Sequence, residues 1–417
     1  MKIAFVSARS VPAHLGGAEE LVRTNARFLA EAGHDVTILT SYVNEGAKTK
    51  LCHEEWVHGV RVLRFKQFRF EQLAWLSRCL RFINYKSSTK STGHTDNLIV
   101  APCVPSLFRR TLFVFGYKWL SWMFSPSLFF HILFSEYEII HVTPFPHTHI
   151  WFTTRAANIA KIPVVLSPAF HVELQLDVAW QLCYLAEKAA RLVVFTEKER
   201  IDLSNLKIPV EKMDIVPPGV ENTEVAHGIG DRFRERYNLK DAPVVLFAGS
   251  KSYDKGITHL IDAMVLVRKT YPEAVLVAIG RGPESLHHEI LAKLPNALSL
   301  GYVSVEEKME AFDACTVFVM ASRCDSFGIV YVDAWLHRKP VIAARAGSVP
   351  WVVHEGEDGE LVAFGDVQEI ANKIIAFLND PLRCERFGSN GYQFVMANYM
   401  GHIIAERLLM CYKLCRN

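Results

Sequence analysis

Across 417 residues there is no CxxC pair, no HExxH, no clustered Cys/His set and no DxD-like acidic triplet. The residue patterns that usually hold a metal are therefore missing, and no metal or other cofactor is expected. Excess charge is scarce as well. Lys and Arg number 46 against 44 Asp and Glu, a net +2, which excludes a chain built to coat nucleic acid. Long apolar runs are short of what membranes require. Trp119–Phe134 has no Lys, Arg, Asp or Glu, yet it spans 16 residues, contains Pro126 and falls below the roughly 20 needed to cross a bilayer. The opening run Lys2–Ser7 is too short for a signal peptide and reads as a buried first strand. Nine scattered cysteines then fit a reducing, cytoplasmic setting in which they serve as small core residues.

What is present is apolar mass: half the residues are hydrophobic and 22% are charged. A chain of this length and composition buries more than one ordinary core and suits two domains. One stretch breaks the charge balance. Between Arg61 and Lys118 eleven cations face only Glu71 and Asp96, and the same stretch is crowded with aromatics such as Phe68, Trp75, Tyr85, Phe113 and Phe115. Basic and aromatic side chains together suggest docking on an anionic membrane surface.

Short apolar runs alternate with amphipathic stretches in two similar halves. The strand-like runs are Ile3–Ser7, Asp35–Thr40, Val60–Phe65, Ile139–Thr143, Val164–Ser167 and Leu192–Thr196 in the first. In the second they are Val244–Ala248, Ala274–Ile279, Val317–Met320 and Val341–Ala344. Ala18–Ala32 places Leu21, Val22, Ala26 and Leu29 at helical spacing. Buried β-branched runs separated by helices predict parallel βαβ units, hence two doubly wound α/β domains. The boundary is expected in the polar stretch between about Glu221 and Asp241.

In such folds ligands bind at the carboxyl ends of strands. The loop after the first run ends in Gly16-Gly17, which would let backbone amides approach an anion, although paired glycines are as often plain turn residues. No GxGxxG follows this strand, which disfavours a nicotinamide enzyme. The matching loop of the second half, Gly249–Gly256, offers Ser250, Lys251 and Lys255; its lysines could neutralise a diphosphate or simply be solvated. The most specific segment is Ala321–Ala334. Asp325 would sit in the loop as ligand or helix cap, and Ser326–Ile329 would open a helix with free amides. Asp333 would lie in its second turn, where a charge among apolar neighbours needs a partner or a ligand. His141 and His171 each follow a strand run and are weaker candidates for ligands or proton relays.

Taken in order, these landmarks resemble the retaining GT-B-fold glycosyltransferases of family 4. The similar features are a strand followed by a loop like GR-x4-KG and the turn Gly280-Arg-Gly-Pro283. Then come Leu300–Ser304, a signature like E-x7-E, Pro340–Ala343 and Gly347-Ser348. Gly16–Glu19, Pro163–Ser167, Thr196–Arg200 and Pro217–Val220 match in the first half. The resemblance implies two Rossmann-like domains facing across a cleft. The acceptor-side domain would span 1–230, with the basic and aromatic insertion at about 66–135. A donor domain would span 240–396, and a closing helix at 397–417 would return to the first domain. It further implies transfer of a sugar from a nucleotide-diphosphate sugar to a glycan or lipid-linked acceptor, with retention and without a metal.

By the same resemblance Lys255 binds the donor diphosphate, and Gly17, with Gly16, approaches it from the other domain. Phe327, Gly328, Ile329 and Val330 offer amides to sugar and phosphate. Asp325 holds the transferred sugar and Asp333 the ribose, while Ser250, Lys251, Gly282, Tyr302 and Ser326 line the nucleotide-sugar site. Three positions depart from the pattern. Both signature acids are Asp, one methylene shorter than Glu. Ser250 replaces the loop arginine, leaving Lys251 as a substitute. Ala169 stands where the family often has a catalytic-face histidine, with His171 two residues on as the catalytic candidate. These departures keep one rival open, a binding protein of the same fold without turnover; a nucleotide-sugar epimerase of the same architecture is disfavoured, because its acid and base residues cannot be located in the sequence.

Overall fold

A computed structural model describes residues 1–7, 17–42, 51–66, 125–147, 149–221 and 228–416. Gly16 and most of the basic, aromatic stretch (67–124) lie outside the described residues. The chain divides into two compact units, one of residues Met1–Val194, Arg200–Val216 and Ala405–Asn417, the other of Phe195–Glu199 and Pro217–Ile404.

The first unit is built on eight strands: β1 (Lys2–Ser7), β2 (Asp35–Ser41), β3 (Glu54–Val57), β4 (Val60–Phe65), β5 (Ile139–Thr143), β6 (Val164–Leu166), β7 (Arg191–Val194) and β8 (Met213–Ile215). They lie in the order β3-β4-β2-β1-β5-β6-β7-β8. Ile3 on β1 pairs in parallel register with Val36 of β2 and Ile139 of β5. Apolar residues on both faces explain why β5 is wholly buried and β1 is buried from Ile3 onward. The first helix, Gly17–Glu31, turns Leu21, Val22, Ala26 and Leu29 inward, all buried, as their spacing predicts. β3 runs antiparallel to β4 through the two-residue turn His58-Gly59, where both residues have positive φ (48° and 78°), the geometry that suits a tight hairpin.

The second unit carries six parallel strands: β9 (Val244–Ala248), β10 (Val275–Ile279), β11 (Leu298–Leu300), β12 (Val317–Met320), β13 (Val341–Ala344) and β14 (Gly359–Val362). Their order is β11-β10-β9-β12-β13-β14. The chain winds outward from β9 through β10 to β11, then restarts at β12 on the other side. β9 and β12 are therefore the neighbours between which the winding direction reverses.

The two doubly wound α/β domains expected from the alternation of runs are present. Four strands, β3, β8, β11 and β14, have no counterpart among the apolar runs, and all four are sheet edges. An edge strand pairs on one side only, so it stays short and tolerates polar residues, and no continuous apolar run marks it. None of the cysteines among the described residues is disulfide-bonded. Among these residues no helix is long and apolar enough to cross a membrane.

Candidate functional site

The reversal between β9 and β12 opens a crevice at the carboxyl ends of two adjacent strands, the place where doubly wound sheets bind ligands. The loop leaving β9 ends in a single 3-10 turn, Tyr253–Lys255, capped by Gly256. Gly256 has φ +78°, and a Cβ there would lie 2.2 Å from the Ala321 carbonyl oxygen just past β12. Only glycine lets the two loops meet this closely. The approach delivers Lys255 to Asp325: Nζ donates to Oδ1 at 2.6 Å. Asp325 Oδ2 is buried with no hydrogen-bond partner among the described residues, an arrangement that asks for a ligand. The Asp325 carbonyl accepts the Ser348 amide at 3.3 Å, so the Gly347-Ser348 turn beyond β13 fixes the same loop from its other side.

Residues Ser326–Gly328 form the bend before the helix Ile329–Leu336. Gly328, not Asp325, takes the cap position. It has φ +84°, and a Cβ there would fall 2.3 Å from the Tyr331 ring. Among the described residues no side chain caps this helix, so the leading amides of Ile329 and Val330 have no intrahelical acceptor and can meet an anion. Tyr331 anchors the first turn by donating its hydroxyl to the Met320 carbonyl at 2.8 Å. Phe327 is buried edge-on against Tyr399, which leaves its backbone as the part able to meet a ligand. Asp333 lies in the next turn, 8% exposed, and Lys308 Nζ donates to its Oδ2 at 2.9 Å. The charge that the apolar helix could not leave unpaired thus has its partner.

Lys251 requires a correction. It is buried, and its ammonium donates to Ser299 Oγ at 3.0 Å and to the Leu300 carbonyl at 2.5 Å, while burial pushes its pKa down. It anchors the β9 loop to β11 rather than replacing the missing loop arginine, and Lys255 is left as the cation beside Asp325. Gly282 lies against Lys251, where a Cβ would meet Lys251 Cβ at 2.5 Å, so its role is the close packing of two loops. Ser250 is exposed in the β9 loop. Tyr302, 56% exposed, has the Arg281 guanidinium 5.7 Å from its ring.

In the first unit Gly17 opens its helix in an exposed position. His171 is the half-buried cap residue of the short helix Val172–Gln175, and its amide donates to Gln175 Oε1 at 3.1 Å. His141 is a core residue: Nδ1 lies 2.7 Å from the Tyr412 hydroxyl, Nε2 lies 2.6 Å from Ser167 Oγ, and the ring stacks on Phe5. Burial lowers its pKa to about 3, which keeps it neutral and removes it from the proton-relay candidates. Lys308 had no signal of its own in the sequence. The isolated charge of Asp333 announced a partner, but 25 residues separate the two, and no local spacing connects them.

A doubly wound donor-type domain with a lysine, an aspartate and an uncapped helix start at its switch point is the arrangement of the GT-B glycosyltransferases. Two family models match in the corresponding order: a glycosyl transferase 4-like domain over residues 16–219, and the group 1 glycosyl transferases over residues 231–394. The chain belongs to the group 1 glycosyltransferases of GT-B fold. It is 28% identical over 256 residues to a GDP-mannose-dependent alpha-(1-6)-phosphatidylinositol monomannoside mannosyltransferase of Mycolicibacterium smegmatis, covering 56% of this chain and 66% of that one. To a D-inositol 3-phosphate glycosyltransferase of Acidothermus cellulolyticus it is 31% identical over 212 residues, 47% of each chain. The matched stretches thus span between about half and two thirds of these relatives. Among solved structures, Anabaena HepE in complex with UDP and glucose superposes with a TM-score of 0.72 at 18% identity over 99% of both chains. At that identity the likeness carries the fold alone.

Proposed function

We propose that the chain transfers a sugar from a nucleotide-diphosphate sugar to a glycan or lipid-linked acceptor, with retention and without a metal ion, in glycan or polysaccharide synthesis. The observation that carries this reading is the Lys255–Asp325 pair across the β9/β12 switch point, beside an uncapped helix start. In the reaction the bond between the sugar's anomeric carbon and the diphosphate breaks, and the acceptor oxygen bonds to that carbon. The acceptor's proton passes to the leaving phosphate oxygen. Lys255 and the amides of Gly328, Ile329 and Val330 stabilise the charge that develops on the diphosphate. Asp325 receives hydroxyls of the sugar, and Asp333 those of the ribose.

An acceptor held at an anionic membrane surface is supported by exposed aromatics in the first unit. Phe130 and Phe134 are 55% and 79% exposed and stack on one another, and Trp56 is 66% exposed. Cytoplasmic residence, peripheral on that surface, follows from this reading. Release of nucleoside diphosphate from a panel of nucleotide sugars, with and without a crude lipid acceptor, tests the proposal. Acceptor-dependent release from at least one donor is expected. A protein that binds nucleotide yet turns over no donor would instead be the non-catalytic relative.

A further inference from the structure

Lys308 stands outside every motif, yet it is the residue through which Asp333 is held. It lies on the helix Val305–Ala314, which Ser304 caps by accepting the Glu307 amide at 3.1 Å. Two acids of this helix face away from Asp333 toward the helix Gly230–Arg236 and the residue after it. Glu307 accepts from the Tyr237 hydroxyl at 2.7 Å and lies 3.3 Å from Arg236, which also pairs with Glu310 at 2.8 Å. Those contacts fix the helix as a body, and Lys308 projects from it to Asp333 Oδ2. The Asp333 side chain is 11% exposed and that of Lys308 32%, so the pair is partly desolvated and its geometry matters. Among the described residues no donor reaches Asp333 Oδ1. One oxygen is thus fastened to Lys308, and the other is left for a ligand.

We infer that Lys308 is a positioning residue for nucleotide binding. It holds the short Asp333 carboxylate aimed, so that its second oxygen can accept the ribose hydroxyls of a nucleoside diphosphate. This rests on the donor reading above and adds to it a residue that touches no substrate. Asp333 has one methylene less than glutamate, so its reach depends on where its own helix and Lys308 place it. The ammonium also gives a carboxylate set among Val332, Ala334 and Trp335, all buried, the hydrogen-bond partner such a site needs.

The test is calorimetric titration of wild type, K308M, K308R, D333N and the K308M/D333N double variant with nucleoside diphosphates and, separately, with inorganic pyrophosphate. Steady-state kinetics on the preferred donor accompany it. K308M is expected to weaken nucleoside diphosphate binding roughly tenfold, the worth of one charged hydrogen bond. Pyrophosphate binding, which depends on Lys255, should stay unchanged. Donor KM should rise with kcat nearly constant, K308R should recover most of the affinity, and K308M should add little on top of D333N. K308Q, read by the same titrations, replaces K308M if the latter does not fold. Wild-type affinity in K308M, full additivity with D333N, or equal losses for nucleotide and pyrophosphate would each overturn the inference while leaving the donor reading intact. A wild type that binds no nucleoside diphosphate would overturn both.

Discussion

At Asp325 one carboxylate oxygen is held by Lys255 and the other is buried without a donor among the described residues, whereas Asp333 has its own lysine. The two acids of the signature are thus different chemical objects, and their variants should separate. Asp325→Asn should leave nucleoside diphosphate binding within about twofold, because Lys255 remains to meet phosphate, while turnover falls roughly 10- to 150-fold as the sugar loses its hold. Asp333→Asn should weaken the free nucleoside diphosphate and the whole donor alike. Titration of both variants beside their steady-state rates decides this, and equal loss of nucleotide affinity would mean the roles are misplaced. Lys255→Ala should cost about 1.5–3 kcal/mol in transition-state stabilisation, the worth of a charged hydrogen bond, read as the fall in kcat/KM.

Among the elements, the loop that carries Lys255 depends on Gly256. Gly256→Ala meets both a left-handed φ and the Ala321 carbonyl, so it should lower stability by clearly more than about 1 kcal/mol and weaken nucleotide binding. Gly365→Ala, where φ is +87° but the nearest atom is 3.7 Å away on His259, should cost only the backbone term of about 1 kcal/mol and leave binding intact. Thermal melts and titrations of the pair make the comparison. In the first unit His141 and His149 are both pushed down to about 3 by burial. Between that value and the ordinary 6.5 the unfolded chain binds protons there that the folded chain does not. Stability should therefore fall as pH drops through that window. His141→Asn should be less stable at pH 7, since Tyr412 and Ser167 lose their partner, but its melting temperature should fall less on acidification. Central strands, the first helix and the loops after β9 and β12 were legible in the residues, because burial on both faces and helical spacing write themselves into consecutive positions. Edge strands were not. Nor were the anchoring of Lys251 on Ser299 and Leu300 or the pairing of Lys308 with Asp333, since these arise only when distant segments meet.

For the whole molecule, the net charge of +2 hides a basic, aromatic stretch that begins at Arg61, and the exposed Phe130 and Phe134 lie near its end. If this region docks on a membrane, binding to anionic vesicles should weaken steadily as salt rises, while neutral vesicles bind little. Co-sedimentation at several ionic strengths reads this, and equal binding to both vesicle types, or to neither, would count against it. The central claim is that a lysine, rather than a metal ion, supports departure of a nucleoside diphosphate from a sugar. It is met most directly by following nucleoside diphosphate release from the preferred donor in excess chelator, with wild type beside Lys255→Ala. The account predicts that wild type keeps its full rate in chelator and that the variant loses roughly 10- to 150-fold. Activity abolished by chelator and restored by a divalent ion, or a Lys255→Ala variant as fast as wild type, would contradict it.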